Sequence, residues 1–233
     1  MVKKNLAILI FSIAFMLPQE ASSQVDGGQL GSWYMYFWDV SIKDTQWGFQ
    51  GDFQHRSWDV PDDLEQRLLR GGITYQLPET GLKFTQGYAH ILSSEFGSSD
   101  NSTDENRIYQ ELLYPHKIGS RFHFTHRLRY EQRFVENQDF RTRIRYNLFL
   151  NIPLNMTEID EGAVYMAFYN ELFINGQKDI GNGKSVDSFD RNRSYGGLGY
   201  AVKKNFRVQL AYMYQIMDSW NKGQLQFSIH HRF

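Results

Sequence analysis

The sequence predicts an all-β chain: a single antiparallel up-and-down transmembrane β-barrel of about ten strands, with twelve as the alternative, because bacterial single-chain barrels carry even numbers. Three observations predict it. Side chains alternate between apolar and polar almost to the last residue, the clean runs are ten to fourteen residues long, and an export leader precedes them. Successive strand side chains point to opposite faces, so a period of two gives each segment one apolar and one polar face. Tilted spanning strands need about nine to eleven residues, whereas strands in general average about five or six. A soluble sandwich or lipocalin-like barrel also alternates, but in shorter runs.

Residues 1–23 read as a cleaved signal peptide: Lys3 and Lys4, the apolar run Leu6–Leu17, Pro18, and the small residues Ala21-Ser22-Ser23. A run of this length spans about 18 Å as a helix, short of the ~30 Å hydrocarbon core. The barrel domain is then 24–233, and the expected location is the bacterial outer membrane, reached through the periplasm. With 25 Lys+Arg against 26 Asp+Glu there is no basic surplus for nucleic acid. The absence of cysteine excludes disulfides, thiolate metal sites and a Cys nucleophile. Aromatics at 16% exclude a disordered chain. The mean hydropathy of −0.53 looks soluble, as the average over alternating strands does.

The elements follow in order. Segment 31–42 carries aromatics on both faces (Trp33, Phe37 against Tyr34, Tyr36, Trp38), and 45–57 sets Trp47, Phe49 and Phe53 against Gln46, Gln50, Asp52, Gln54 and Arg56. Segments 65–77, 82–94 and 106–115 are strand-like but less regular. The cleanest run, 121–134, puts Phe122, Phe124, Leu128, Tyr130 and Phe134 on one face and Arg121, Arg127, Arg129, Glu131 and Arg133 on the other. Segment 141–152 opposes Ile144, Tyr146, Leu148, Leu150 and Ile152 to Arg141, Arg143 and Arg145. Then come 162–175, 190–203, 207–216 and a last strand with Leu225, Phe227, Ile229, His231 and Phe233 on one face. Eleven segments against an even expectation single out 31–42 as misassigned: half a strand pair, or a stretch lying in the lumen. Gly71-Gly72 and Gly196-Gly197 are expected to mark bends or bulges. Short connections at 78–81, 116–120 and 203–205 contrast with the polar stretches 95–106 and 175–189, the latter expected to face outward. Aromatics near strand ends, such as Trp47, Trp58 and Tyr75, suit interfacial girdles.

If apolar faces meet lipid, the lumen holds Arg107, Glu111, Arg121, Arg127, Arg129, Glu131, Arg133, Arg141, Arg143, Arg145, Glu171, Arg191, Arg193 and Arg207. Unpaired charges in a narrow interior are costly, so these arginines need carboxylates, water or bound anions. Eight-stranded barrels are filled by side chains and sixteen to eighteen strands conduct freely, so about ten favours a filled lumen. A salt-bridged plug is therefore preferred over a narrow anion-preferring, porin-like channel.

Several phrases resemble the family of outer-membrane barrels known as domain of unknown function 2490. They are Arg127-Leu-Arg-Tyr-Glu-Gln-Arg-Phe134, Arg141-Thr-Arg-Ile-Arg-Tyr146, Asn170-Glu-Leu-Phe173, Asp190 through Tyr200, Tyr212-x-Tyr214-Gln215 and Gly31-Ser-Trp33. The resemblance implies an outer-membrane barrel and assigns no activity. The closing Phe233, with Ile229 and Phe227 on its face, resembles the signal read by the barrel-assembly machinery.

Enzyme readings carry little. Ser228-Ile229-His230 has the spacing of an outer-membrane lipid hydrolase pair, but alternation places it in a polar lumen. His123 and His126 point to opposite faces. Gly181–Ser185 lacks the first glycine and the helix of a phosphate-binding loop. Asn101-Ser102-Thr103 is a sequon in form only. The chain is expected to be non-enzymatic, without cofactor or metal. Its expected partners are outer-membrane lipids, the assembly machinery through Phe233 and, in the channel reading, a small anionic solute, with no nucleic acid.

Overall fold

The alternating runs fold into eleven strands: β1 (Gly31–Ser41), β2 (Trp47–Ser57), β3 (Leu64–Gln76), β4 (Lys83–Ser94), β5 (Ser102–Ile118), β6 (Phe122–Val135), β7 (Arg141–Pro153), β8 (Val164–Asn175), β9 (Phe189–Lys203), β10 (Phe206–Met217) and β11 (Asn221–Arg232). The computed structural model describes residues 28–60, 63–97 and 101–233, and these contain no helix. The expected leader, 1–23, lies outside the described residues. Each strand pairs antiparallel with its neighbours in sequence, and β1 meets β11 to close the barrel.

Eleven strands correct the expectation of ten. The segment singled out as misassigned is β1, a full wall strand, not half a pair or a lumen segment. It pairs antiparallel with β2 from Ser32↔Ser57 to Ser41↔Gly48 and parallel with β11 from Gly31↔Gln224 to Asp39↔Arg232. With an odd number of alternating strands the first and last run the same way, so the seam must be parallel. A parallel ladder is only slightly weaker per residue, so closure remains favourable. Aromatics fall on both faces of β1 because both faces receive rings: Trp33 is 2% exposed inside, Tyr34 47% exposed outside.

Five connections lie on the rim that carries the C-terminus: 42–46, 77–82, 119–121, 154–163 and 204–205. The opposite rim carries 58–63, 95–101, 136–140, 176–188 and 218–220. The expected loop 95–106 is shorter than its polarity suggests, because β5 already begins at Ser102. The long connection 154–163 also breaks the expected contrast of short and long rims.

The glycine pairs do not mark bulges. Gly71 and Gly72 stay in continuous register with Gly51 and Gly87, as Gly196 and Gly197 do with Tyr212 and Ala211. The outward member of each pair lies beside a ring, Gly71 by Trp38 and Gly196 by Phe168, while Gly72 and Gly197 face the neighbouring strands closely. Trp38 lies over Gly51 outside the wall, and Tyr109 fills the space that a side chain at Gly87 would need inside. The bulges fall at Arg56/Ser57, Phe173/Ile174 and Phe206/Arg207.

The molecule is inside-out relative to a globule in water. Every strand exposes apolar side chains on the outer wall, among them Phe53, Ile73, Leu128, Ile144, Leu198, Leu210 and Leu225. Among the buried residues the polar and charged outnumber the apolar, with arginine the most frequent of them.

Candidate functional site

Alternation along β5 to β9 aims one face of each strand at the barrel axis, and the charged side chains meet there in layers. Glu131 on β6 is 1% exposed and holds the centre. Its Oε2 accepts from Arg143 Nε at 2.9 Å and Nη2 at 2.7 Å, and its Oε1 from Arg145 Nη1 at 2.7 Å. Arg107 and Arg129 stand at 3.8 and 3.9 Å from the same carboxylate. Glu171 on β8 bridges Arg127 and Arg145, each at 2.6 Å. Glu111 on β5 accepts from Arg129 Nη2 at 2.5 Å and from Gln50 Nε2 at 2.8 Å. Rings pack against the guanidinium faces: Arg129 lies 4.3 Å from the centre of Tyr109 and Arg145 4.4 Å from that of Phe173. Such contacts with a π face favour desolvated cations.

Four carboxylates complete the network beyond those read from the sequence. Asp52 takes Arg70 Nε at 2.9 Å, and both residues are buried. Glu105 receives two forks, from Arg107 at 2.6 and 2.7 Å and from Arg133 at 2.5 and 3.0 Å. Extending the alternation of β5 by one step beyond Arg107 finds it. Glu65 and Asp190 could not be found so. Strict alternation points both outward, since their neighbours Gln66 and Arg191 face in. Each is the extra residue of a bulge: Ser57 pairs with Leu64 while Arg56 pairs with Gln66, and Ile174 pairs with Phe189 while Phe173 pairs with Arg191. A bulge re-aims a side chain. It turns Glu65 onto Trp33 Nε1 at 3.1 Å, and Asp190 onto Arg143 at 2.6 Å and Arg191 at 3.2 Å.

Arg121 is a correction: it sits in the turn after β5, exposed, and donates to the carbonyls of Pro153 and Leu154 at the rim. Arg207 lies on the inner face near the C-terminal rim. Arg56, Arg141 and Arg193 are 5%, 8% and 6% exposed, and none forms an ion pair among the described residues. Arg56 bonds to Gln54 and Gln66, and Arg193 Nε to Gln215 at 2.7 Å. Arg141 Nε is buried with no partner. Within the arginine–carboxylate layer itself, eleven arginines (56, 70, 107, 127, 129, 133, 141, 143, 145, 191, 193) thus stand against seven carboxylates (52, 65, 105, 111, 131, 171, 190), four cations in excess among these groups.

Two cavities flank this charge layer. One, of about 360 Å³, extends toward the C-terminal rim among Trp33, Phe149, Tyr165 and His230. The other, of about 180 Å³, extends toward the opposite rim. Arg56, Arg70, Arg145 and Arg193 line both. In the larger cavity Ser228 Oγ and His230 Nε2 are 3.0 Å apart, and the His230 ring stacks on Phe37 at 4.8 Å. His123 meets the Thr157 carbonyl, while His126 pairs with His116 and Tyr146 on the other face. No cluster of three metal-ligating side chains occurs among the described residues. Phe227 and Phe233 are exposed outside and Ile229 partly so, and Phe233 N donates to the Asp39 carbonyl at 2.8 Å, extending the seam to the last residue.

The family model described as "Protein of unknown function (DUF2490)" matches residues 30–226. An uncharacterized protein of Methylorubrum extorquens strain AM1 is 31% identical over 191 residues, covering 78% of this chain and 79% of the relative. No solved structure matches the chain. The matched span runs from just before β1 into β11, and this chain belongs to the DUF2490 family.

Proposed function

We propose that this DUF2490 member is a bacterial outer-membrane β-barrel, exported through the periplasm behind a cleaved leader, and that its salt-bridged interior braces the wall without conducting. The observation that carries the reading is the inversion of faces, an apolar exterior on all eleven strands around a buried charge network. Exposed apolar area on that scale is unfavourable in water and suited to acyl chains. Closure leaves no unpaired sheet edge, as a bilayer requires. Aromatic clusters near the rims support the same placement: Trp47 with Tyr75 and His231 with Phe206 and Phe233 on one side, Phe134 with Phe140 on the other. The assembly machinery would read Phe233, Ile229 and Phe227 at the C-terminal rim. Connections 95–101 and 176–188 would then face outward, where they can meet other surface molecules.

The layer of Glu111, Glu131 and Glu171 with its arginines favours a plug over a pore, since it stands between the two cavities. The excess of four cations favours anions should the lumen ever open. We read the chain as non-enzymatic. Ser228 and His230 are paired, but no carboxylate among the described residues orients the imidazole, and the pair faces the lumen rather than lipid.

The full chain refolded into lipid vesicles should remain with the bilayer after alkaline washing and give silent planar-bilayer recordings. Recovery of folded, detergent-free soluble protein would overturn the membrane placement. Stepwise anion currents lost in Arg129→Glu would overturn the plug, and ester hydrolysis lost in Ser228→Ala would overturn the non-enzymatic reading.

A further inference from the structure

We propose that the smaller cavity, toward the rim opposite the C-terminus, binds a small doubly charged oxyanion, a phosphate or sulfate group. This goes beyond bracing the wall and holds wherever the barrel resides.

Nine guanidinium groups line that cavity against a single carboxylate, Glu105. Glu105 is already taken up by the forks of Arg107 and Arg133. Arg70, Arg143, Arg145 and Arg191 have their own carboxylates on Asp52, Glu131, Glu171 and Asp190. Arg56, Arg141 and Arg193 have none among the described residues. Arg141 is the sharpest case, more than nine-tenths buried at the cavity wall with an Nε that meets no acceptor. A buried guanidinium with no carboxylate in contact is unfavourable, so a sequence that places three around one cavity favours an anion among them.

The chemistry of the walls selects its class. A planar guanidinium offers two parallel N–H donors, which match two oxygens of one tetrahedral oxyanion and are wasted on a spherical halide. Four excess positive charges in the layer beside this cavity favour a double negative charge over a single one. A volume of about 180 Å³ lies below the ~300–1,000 Å³ of drug-sized sites. It holds one such anion with a few waters, each needing about 30 Å³. The same group could arrive as a free ion or on a lipid headgroup reaching in past Arg141 at the start of β7.

The test is calorimetry and thermal unfolding on the full chain in zwitterionic detergent, with inorganic phosphate exchanged for chloride at constant ionic strength. The expected result is saturable binding and a raised Tm with phosphate and with sulfate, and neither with chloride. Arg141→Gln and Arg193→Gln should each weaken phosphate binding tenfold or more, while Arg207→Gln, in the other cavity, should leave it within twofold. Without phosphate, Arg141→Gln should melt above the parent, because an unpaired buried charge is gone; a merely structural Arg141 would lower Tm instead. Arg141→Lys keeps the charge without the fork and should weaken binding by an intermediate factor, which serves if a glutamine variant fails to fold. Competition by phosphatidic acid added to the micelles would assign the group to a headgroup, and its absence to the free ion. Equal responses to phosphate and chloride, or saturable binding that Arg141→Gln and Arg193→Gln leave within twofold, would overturn the site. Bilayer recordings do not enter this outcome, so membrane placement and anion binding fail separately.

Discussion

Replacing Glu131 by glutamine removes one negative charge from the centre of the network while keeping its volume. The carboxylate accepts three short bonds, at 2.9 and 2.7 Å from Arg143 and 2.7 Å from Arg145. Hydrogen bonds to charged groups contribute about 1.5–3 kcal/mol each, so three independent bonds would suggest a loss of about 5–9 kcal/mol. The bonds are not independent. Arg143 retains Asp190 and Arg145 retains Glu171, both at 2.6 Å, and the amide keeps one acceptor oxygen. The loss should therefore fall at the lower end of the ~3–5 kcal/mol seen when a buried pair is broken. Urea unfolding of the refolded barrel in detergent, followed by tryptophan fluorescence, should show a stability drop of about 3 kcal/mol, roughly a 150-fold change in the folding equilibrium. The companion single Arg143→Gln and the double variant complete a cycle whose coupling should exceed about 1 kcal/mol. Because the pair is buried, the drop should persist in about 1 M NaCl. A loss below about 1 kcal/mol, or one that disappears in salt, would refute the network as a source of stability.

Leu210→Arg places a charge in the middle of β10 at a position 63% exposed on the outer wall. In a bilayer it should cost about 2–4 kcal/mol relative to the parent in vesicle-refolding equilibria, and an unchanged equilibrium would argue that this face meets water. Gly87→Val should lose about 1–3 kcal/mol in the same urea assay, because the new side chain enters the space of the buried Tyr109 ring. Pairing it with Tyr109→Ala should recover part of that loss, and a fully additive double variant would mean the ring is not what the valine meets.

Which face of each strand is charged was legible in the sequence wherever alternation is unbroken. The arginines of 127–145 lie inward because a pleated strand can only send odd and even residues to opposite sides. Glu105 needed one further step along the same rule. Glu65 and Asp190 were hidden because a bulge changes the parity locally, and no turn residue or glycine in the sequence announces either bulge. The glycine pairs misled for the complementary reason: a missing side chain can signal a kink or a close approach by a neighbouring strand or ring, and only the neighbour's identity across the ladder, such as Trp38 beside Gly71, tells which.

The strand number was equally out of reach of local pattern. Segment 31–42 carries rings on both faces, which reads as irregular until Trp33 is seen to reach Glu65 inside while Tyr34 lies outside. From period and run length alone follow an all-β chain, the length of its strands and the sign of each face, since these depend only on neighbours along one strand. The parallel β1–β11 seam, the odd count, the two carboxylates turned inward by bulges and the three arginines left without an ion pair among the described residues depend on contacts between residues distant in sequence. Such contacts exist only once the sheet has curled far enough to meet its own first strand.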